Sequence, residues 1–198
     1  MNASKRDLAL CELVMGMRKA LVGQAVAAGS QPSGWDWDAM RNIIGEDPGG
    51  KTLGLVGFGR IGQTFAAKAQ AAFKMKIVYY DPVRSPPNRT TGGTDAGGEA
   101  STPYFELDPP PQWVTLDELL SSADVVSMHC SLSASTRRLM SAPQFAKMKK
   151  GSYFVNMARG GLVDEEALAD ALLSGHLAGA GIGENRNHYA VLLLCSIC

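Results

Sequence analysis

Thr52–Gly62, TLGLVGFGRIG, is the stretch from which the rest of the chain is read. Its first half, Leu53 to Phe58, is a short apolar run of the kind buried as a strand, and its second half places glycine at 57, 59 and 62. From Gln63 to Phe73 the apolar side chains of Phe65, Ala69, Ala72 and Phe73 continue from Ile61 with the spacing of one helical face. A G-x-G-x-x-G turn therefore joins a strand to a helix. Each glycine has a physical task in that setting: Gly57 permits the tight turn, Gly59 lets a pyrophosphate approach the backbone, and Gly62 lets the helix pack closely. The helix N-terminus supplies N–H groups and a partial positive charge for phosphates. The next apolar run, Lys76–Tyr80 (KIVYY), ends in Asp81, nineteen residues after Gly62, where an acid would hold a pair of ribose hydroxyls. A glycine triplet alone arises by chance in flexible loops; strand, helix and acid together point to dinucleotide binding. Asp81 also suits a strand-end turn before Pro82, and the two readings are compatible.

With 198 residues the chain is long enough for one well-buried domain and too short for two full-sized ones. Hydrophobic content of 45% and charged content of 19% are globular values, and the 19 Lys and Arg balance the 19 Asp and Glu. Bulk charge thus favours neither nucleic acid nor an anionic membrane as partner. No apolar run approaches a membrane span, and MNASKRDLAL has no uninterrupted signal-like core, so a cytoplasmic location is the default expectation. Cys11, Cys130, Cys195 and Cys198 are scattered as free thiols would be in a reducing compartment. Cys195 and Cys198 form a lone C-x-x-C with no second pair, and no metal site is expected.

In chain order, Asp7 to about Ala28 has few helix breakers and apolar residues at 10, 13, 14, 17, 21, 22 and 25, which predicts a long helix ended by Gly29, Pro32 and Gly34. Trp35–Gly50 is a connector whose two tryptophans suit packing anchors. After Asp81 the chain runs through PVRSPPNRTTGGTDAGGEASTPYFELDPPPQW without any period, a long surface loop inserted between core elements. Order returns at Thr115–Ser122, a helix with a threonine N-cap, followed by a third strand at Asp124–Cys130 (DVVSMHC). Pro143–Lys150 reads as a short helix closed by Gly151, and Tyr153–Met157 (YFVNM) as a fourth strand. Beyond Ala158-Arg159-Gly160-Gly161, Asp164 caps a helix through Leu173 that Gly175 terminates, and Leu177–Ile182 (LAGAGI) is a fifth strand. Alternation of this kind predicts a parallel sheet with right-handed crossovers, its ligands lying beyond the carboxyl ends of the strands.

Arg159 closes the fourth strand ahead of two glycines, so it projects toward the crevice where a nicotinamide would lie. There a guanidinium can grip a carboxylate with two hydrogen bonds and polarise an adjacent carbonyl, although helix-end carbonyls would satisfy it equally well. His129 ends the third strand on the same rim and reads as a packing or hydrogen-bonding residue before a proton donor. Cys130 has no activating partner in the sequence and reads as structural. His176, after a helix-ending segment, suits the surface.

Four segments in order, KTLGLVGFGRIG, IVYYDP, VVSMHCSLSASTRRLM and FAKMKKGSYFVNMARGGLVDEEALADALLSGHLAGAGI, resemble the cofactor-binding domain of the D-isomer-specific 2-hydroxyacid dehydrogenases. The first two are shared with many dinucleotide binders, whereas the last is long and specific to the family. The resemblance implies an α/β fold: a Rossmann-type doubly wound parallel sheet, incomplete at its C-terminal side, with a long N-terminal helix. It implies an NAD-binding domain over 7–182, a loop insertion at 85–112 and a divergent tail at 183–198. By position it implies cofactor contacts from Gly57, Gly59, Arg60, Ile61, Gly62, Asp81, Cys130, Thr136, Met157, Ala158 and Arg159. Arg159 matches the family's catalytic arginine, which binds the carboxylate and carbonyl of the 2-oxo acid. Ser131 stands where the family usually has proline.

The ends depart from the family. After GAGI the family continues with an aspartate, a catalytic glutamate before a proline, and later a catalytic histidine, whereas this chain reads GENRNHYAVLLLCSIC. None of those residues is matched, His188 has no family context, and the tail resembles the product of a shifted frame or a retained intron. The expected function is hydride transfer between NAD(H) and a small-molecule 2-hydroxy or 2-oxo acid, carried by a fragment with impaired activity. Two other readings stand beside it: a non-catalytic NAD-responsive binding or dimerisation module, in which the N-terminal helix pairs two copies as a homodimer, and a methyltransferase, which the Arg159 segment disfavours.

Overall fold

The computed structural model describes Val14, Met17 and residues 45–82 and 107–183. Of the helix expected over Asp7–Ala28, Val14 and Met17 are helical; the rest of it lies outside the described residues. The same holds for most of the Trp35–Gly50 connector, for residues 83–106, which include most of the 85–112 insertion, and for the tail beyond Gly183 with His188, Cys195 and Cys198.

The described elements are β1 (Thr52–Val56), α1 (Arg60–Phe73), β2 (Lys76–Tyr80), β3 (Gln112–Trp113), α2 (Leu116–Ser122), β4 (Val125–Met128), α3 (Ala142–Lys147), β5 (Ser152–Asn156), a 3-10 turn (Gly160–Leu162), α4 (Glu165–Leu173) and β6 (Leu177–Ile182). They form one six-stranded sheet in the order β3-β2-β1-β4-β5-β6. Every pairing is parallel. This is the doubly wound order, in which the chain starts at the centre, builds outward through β2 and β3, then returns to build the other half from β4.

Strand alternation sends side chains to two separate cores. Leu53 and Leu55 of β1, Ile77 and Tyr79 of β2, Val125, Tyr153 and Val155 face α1, where Phe65, Ala66 and Ala69 meet them together with Met17. On the opposite face Val56, Val126, Met128, Phe154 and Ala180 pack against Leu119 and Leu120 of α2, Phe145 of α3, and Leu168, Ala171 and Leu172 of α4. Both faces of the sheet are buried, which is why its strands read as continuous apolar runs.

Strand and helix boundaries fall within two or three residues of the expected ones, and two strands stop short at the rim. β1 stops at Val56, so Gly57 and Phe58 belong to the turn, and β4 stops at Met128, leaving His129 and Cys130 beyond it. Two described elements are absent from the sequence reading, the 3-10 turn at Gly160–Leu162 and β3, which was placed in the long loop. Two residues are too few to show a period, and only the backbone pairs Val78–Gln112 and Tyr79–Trp113 define the strand.

Thr115 caps α2 as expected, through a reciprocal capping box: the Glu118 amide donates to Thr115 Oγ1 at 3.3 Å, and the Thr115 amide donates to Glu118 Oε2 at 2.8 Å. At the N-terminal edge of the sheet, Asp124 ties two strands together. Its Oδ2 accepts from the Thr52 amide at 2.8 Å and its Oδ1 takes Lys149 Nζ at 2.5 Å. No described helix is long and apolar enough to cross a membrane.

Candidate functional site

β1 delivers the chain to a turn that only glycine can make at its first position. Gly57 has φ +96°, and a Cβ there would lie 2.7 Å from the Cys130 amide nitrogen and 2.8 Å from the His129 carbonyl carbon. The turn is thus pressed against the end of β4. Gly57 N–H donates to the Tyr80 carbonyl at 2.8 Å and His129 N–H to the Val56 carbonyl at 2.8 Å, so the turn joins the ends of β1, β2 and β4 at one point.

Gly59 differs in kind. Its φ of −73° suits any residue, and a Cβ built on it meets nothing within 4 Å. It stands at the N-cap of α1, where no side chain caps the helix and the first turn carries no acid. An open space before an uncapped, acid-free helix N-terminus is the setting a pyrophosphate fits. Gly62 lies inside the first turn of α1, where a Cβ would come 2.6 Å from the Gly57 carbonyl oxygen, so the helix starts in contact with the turn it follows.

Asp81, one residue past β2, turns its carboxylate back toward this loop. Oδ2 accepts from the Phe58 amide at 2.9 Å, which fixes the acid beside the glycine turn, and its carbonyl accepts from Trp113 Nε1 at 3.3 Å. Phe58 in turn stacks on Tyr79, with ring centroids 4.1 Å apart. Arg60 is exposed and Ile61 half-buried at the start of α1.

Beyond β4, His129 and Cys130 are both withdrawn from chemistry. The His129 ring lies 5.2 Å from Phe65 and its Nε2 is 2.9 Å from Ser127 Oγ; burial holds the imidazole down at about 4, neutral at pH 7. Burial pushes the Cys130 thiol up to about 11, and the nearby Asp81 charge adds to the rise. The sequence reading of His129 as a packing residue and of Cys130 as structural agrees with this environment. The following loop is shaped by Thr136, whose Oγ1 donates to the Ser131 carbonyl at 2.7 Å and accepts from the Ser133 amide at 2.7 Å. With Ser131 in place of proline, a hydroxyl turn closes the loop.

Beyond β5, Met157 is buried among the α1-side core, Ala158 is half-buried and Arg159 is exposed. Arg159 Nη1 donates to the Ala158 carbonyl at 2.7 Å. The two rim loops meet at Gly161, where a Cβ would lie 3.0 Å from Leu132, and where the Arg138 amide donates to the Gly161 carbonyl at 2.9 Å. Arg138 and Asp164 add a 2.6 Å ion pair between the same loops. His176 Nε2 donates to the Met148 carbonyl at 3.0 Å and is half-buried, not on the open surface.

Asn156 went unremarked in the sequence. It is 1% exposed at the end of β5; its Nδ2 donates to the Arg159 carbonyl at 2.9 Å and its Oδ1 accepts from the Ala158 amide at 3.1 Å. A polar residue closing an otherwise apolar strand was the available signal, since such a group is buried only when its hydrogen bonds are met. Among the described residues no cluster of three or more His, Cys, Asp or Glu could hold a metal.

Residues 15–183 match the family model described as D-isomer specific 2-hydroxyacid dehydrogenase, NAD binding domain. A hydroxypyruvate reductase of Thermotoga maritima is 37% identical over 173 residues, 87% of this chain and 49% of that protein. The 4-methyl-2-oxopentanoate reductase A of Aspergillus oryzae is 35% identical over 190 residues, 96% of this chain and 50% of that protein. Among solved structures, the NAD-complexed form of a D-isomer specific 2-hydroxyacid dehydrogenase from Lactobacillus delbrueckii ssp. bulgaricus superposes with TM-score 0.74 at 27% identity, over 94% of this chain and 51% of that one. The chain therefore spans about half the length of the curated relatives it matches. The strand order is that of a dinucleotide-binding sheet, and the chain belongs to the D-isomer specific 2-hydroxyacid dehydrogenase family, as its NAD-binding domain.

Proposed function

We propose that the chain holds NAD(H) across Gly57–Gly62 and Asp81 and serves as the cofactor half of an enzyme that interconverts 2-hydroxy and 2-oxo acids. The observation that carries this reading is the Asp81 carboxylate bonded to the Phe58 amide beside the open space at Gly59. In it, the first turn of α1, from Arg60 and Ile61, receives the pyrophosphate, and Asp81 accepts from the hydroxyls of the adenosine ribose. Cys130 and Thr136 line the rim on the β4 side, with Met157 and Ala158 on the β5 side. Bound nicotinamide supplies or accepts the hydride. Arg159 grips the carboxylate of the acid and polarises its carbonyl, setting the reacting carbon in place.

The substrate class follows from Arg159 and from the names of the relatives, which include a hydroxypyruvate reductase and a glyoxylate reductase of Thermofilum pendens. Titration with NADH and with S-adenosylmethionine, followed by turnover with glyoxylate and hydroxypyruvate, tests it. Binding of NADH alone is expected; binding of S-adenosylmethionine alone contradicts the reading.

A second reading, an NAD-responsive binding or homodimerisation module without turnover, is favoured by the state of the two described histidines. His129 is neutral and bonded to Ser127, and His176 is bonded to the Met148 carbonyl, so neither is poised as a general acid. NADH binding without oxidation by any 2-oxo acid is the outcome this second reading expects.

A further inference from the structure

We infer that Asn156 is a positioning residue for Arg159: its buried carboxamide sets the backbone from which the guanidinium reaches the carboxylate of a 2-oxo acid. The inference rests on the proposed role of Arg159. Met157, Ala158 and Arg159 follow the last strand pairing of β5, at Asn156. The Asn156 carboxamide ties their backbone at two points, accepting from Ala158 N–H and donating to the Arg159 carbonyl, which also accepts from the Leu162 amide at 3.2 Å. Donor and acceptor of one planar amide are spent within three residues, so the loop closes as a small ring with Arg159 at its far side, extended at φ −149° and ψ 136°.

The anchor itself does not move freely. Asn156 is 1% exposed, its backbone pairs with Met128 of β4 and Ile182 of β6, and its carbonyl accepts from the Gly183 amide at 3.0 Å. Arg159, by contrast, is exposed and has a long side chain, whose Nη1 donates to the Ala158 carbonyl. An exposed arginine grips a carboxylate well only if its backbone is fixed, because the ordering cost otherwise falls on binding. Aspartate could not replace the amide, since it has no donor for the Arg159 carbonyl.

The test uses the 198-residue chain and oxamate, a 2-oxo acid analogue, added to the NADH complex. Asn156→Leu keeps the side chain's forked shape and heavy-atom count while removing both hydrogen bonds. It is expected to weaken oxamate binding roughly tenfold, with NADH affinity changed less than about twofold by the same measure. A merely structural role would lower both together, and equal loss of the two affinities overturns the inference. Arg159→Ala, measured alongside, separates the two levels. If it weakens oxamate and Asn156→Leu does not, the positioning role is wrong; if Arg159→Ala leaves oxamate binding intact, the carboxylate grip itself is wrong and the inference falls with it. Should Asn156→Leu not fold, the side-chain amide signals of Asn156 in the unsubstituted 15N-labelled chain decide. They are expected to shift when oxamate joins the NADH complex, and their constancy overturns the proposal.

Discussion

Two glycines of one turn carry opposite consequences for substitution. At Gly57 the backbone is left-handed and the end of β4 occupies the place of a Cβ, so Gly57→Ala combines a conformational cost of about 1–3 kcal/mol with a backbone clash. A melting point lowered by several degrees is expected, measured by circular dichroism. Asp81 sets a second expectation: a carboxylate beside the ribose repels a 2′-phosphate, so NADH should bind at least roughly tenfold more tightly than NADPH. Asp81→Ala should narrow that gap in a fluorescence titration at fixed salt; NADPH binding as tightly as NADH to the unsubstituted chain would contradict it. The three glycines and Asp81 could be read from the sequence because each answers a backbone or charge requirement at a fixed spacing. For Asn156 the sequence signals only a buried polar group at a strand end; which groups it binds depends on the path of the chain after it. The environment of His129 could not be read from it, being set by Phe65 on α1 and Ser127 one strand pleat back.

At the scale of elements, the legible ones were those with a run or a cap. β1, β4 and β5 are apolar runs buried on both faces, β2 is an apolar run buried chiefly through Ile77 and Tyr79, and α4 was bounded correctly because Asp164 caps it, accepting from the Ala167 amide, while Gly175 ends it at φ +67°. β3 was hidden by the proline-rich sequence around it and exists only through pairing with β2. The capping box on α2 gives a direct expectation: Thr115→Ala should cost about 0.5–2 kcal/mol, read as a lower denaturation midpoint. The end of β4 gives a pH dependence. The His129 imidazole titrates at about 4 in the folded chain against an ordinary 6.5, so the unfolded chain binds the extra proton in between. Stability is then complete above pH 6.5 and falls as the pH drops from 6.5 toward 4, by roughly 1–3 kcal/mol in all. Melting points across that range should decline in the unsubstituted chain and decline less in His129→Phe, and equal slopes in the two would show that the ring is not held neutral by its surroundings.

Over the whole molecule, two cores on either side of one parallel sheet leave the carboxyl ends of its strands as the edge where the turns gather. The glycine turn, Asp81, the Ser131–Thr136 loop and the Arg159 turn all lie there, whereas the Asp124–Lys149 pair tightens the opposite edge. Sheet order follows from the sequence once the strand–glycine–helix unit is recognised, since right-handed crossovers allow few other arrangements. The meeting of the rim loops at Gly161 does not, because it rests on contacts between segments that share no local pattern. The central claim is that NAD(H) lies over Gly59 at the start of α1, and calorimetric titration of NADH into the unsubstituted chain and Gly59→Val tests it most directly. The added Cβ enters space that the protein leaves empty, so the chain should still fold, its melting point lowered by no more than the exchange of a favoured N-cap residue gives. Filling the place of the pyrophosphate should cost about 1–3 kcal/mol of binding, or roughly tenfold to hundredfold in affinity. Saturable binding to the unsubstituted chain and its loss in a folded Gly59→Val is the predicted result; equal NADH affinity in the two proteins would contradict it.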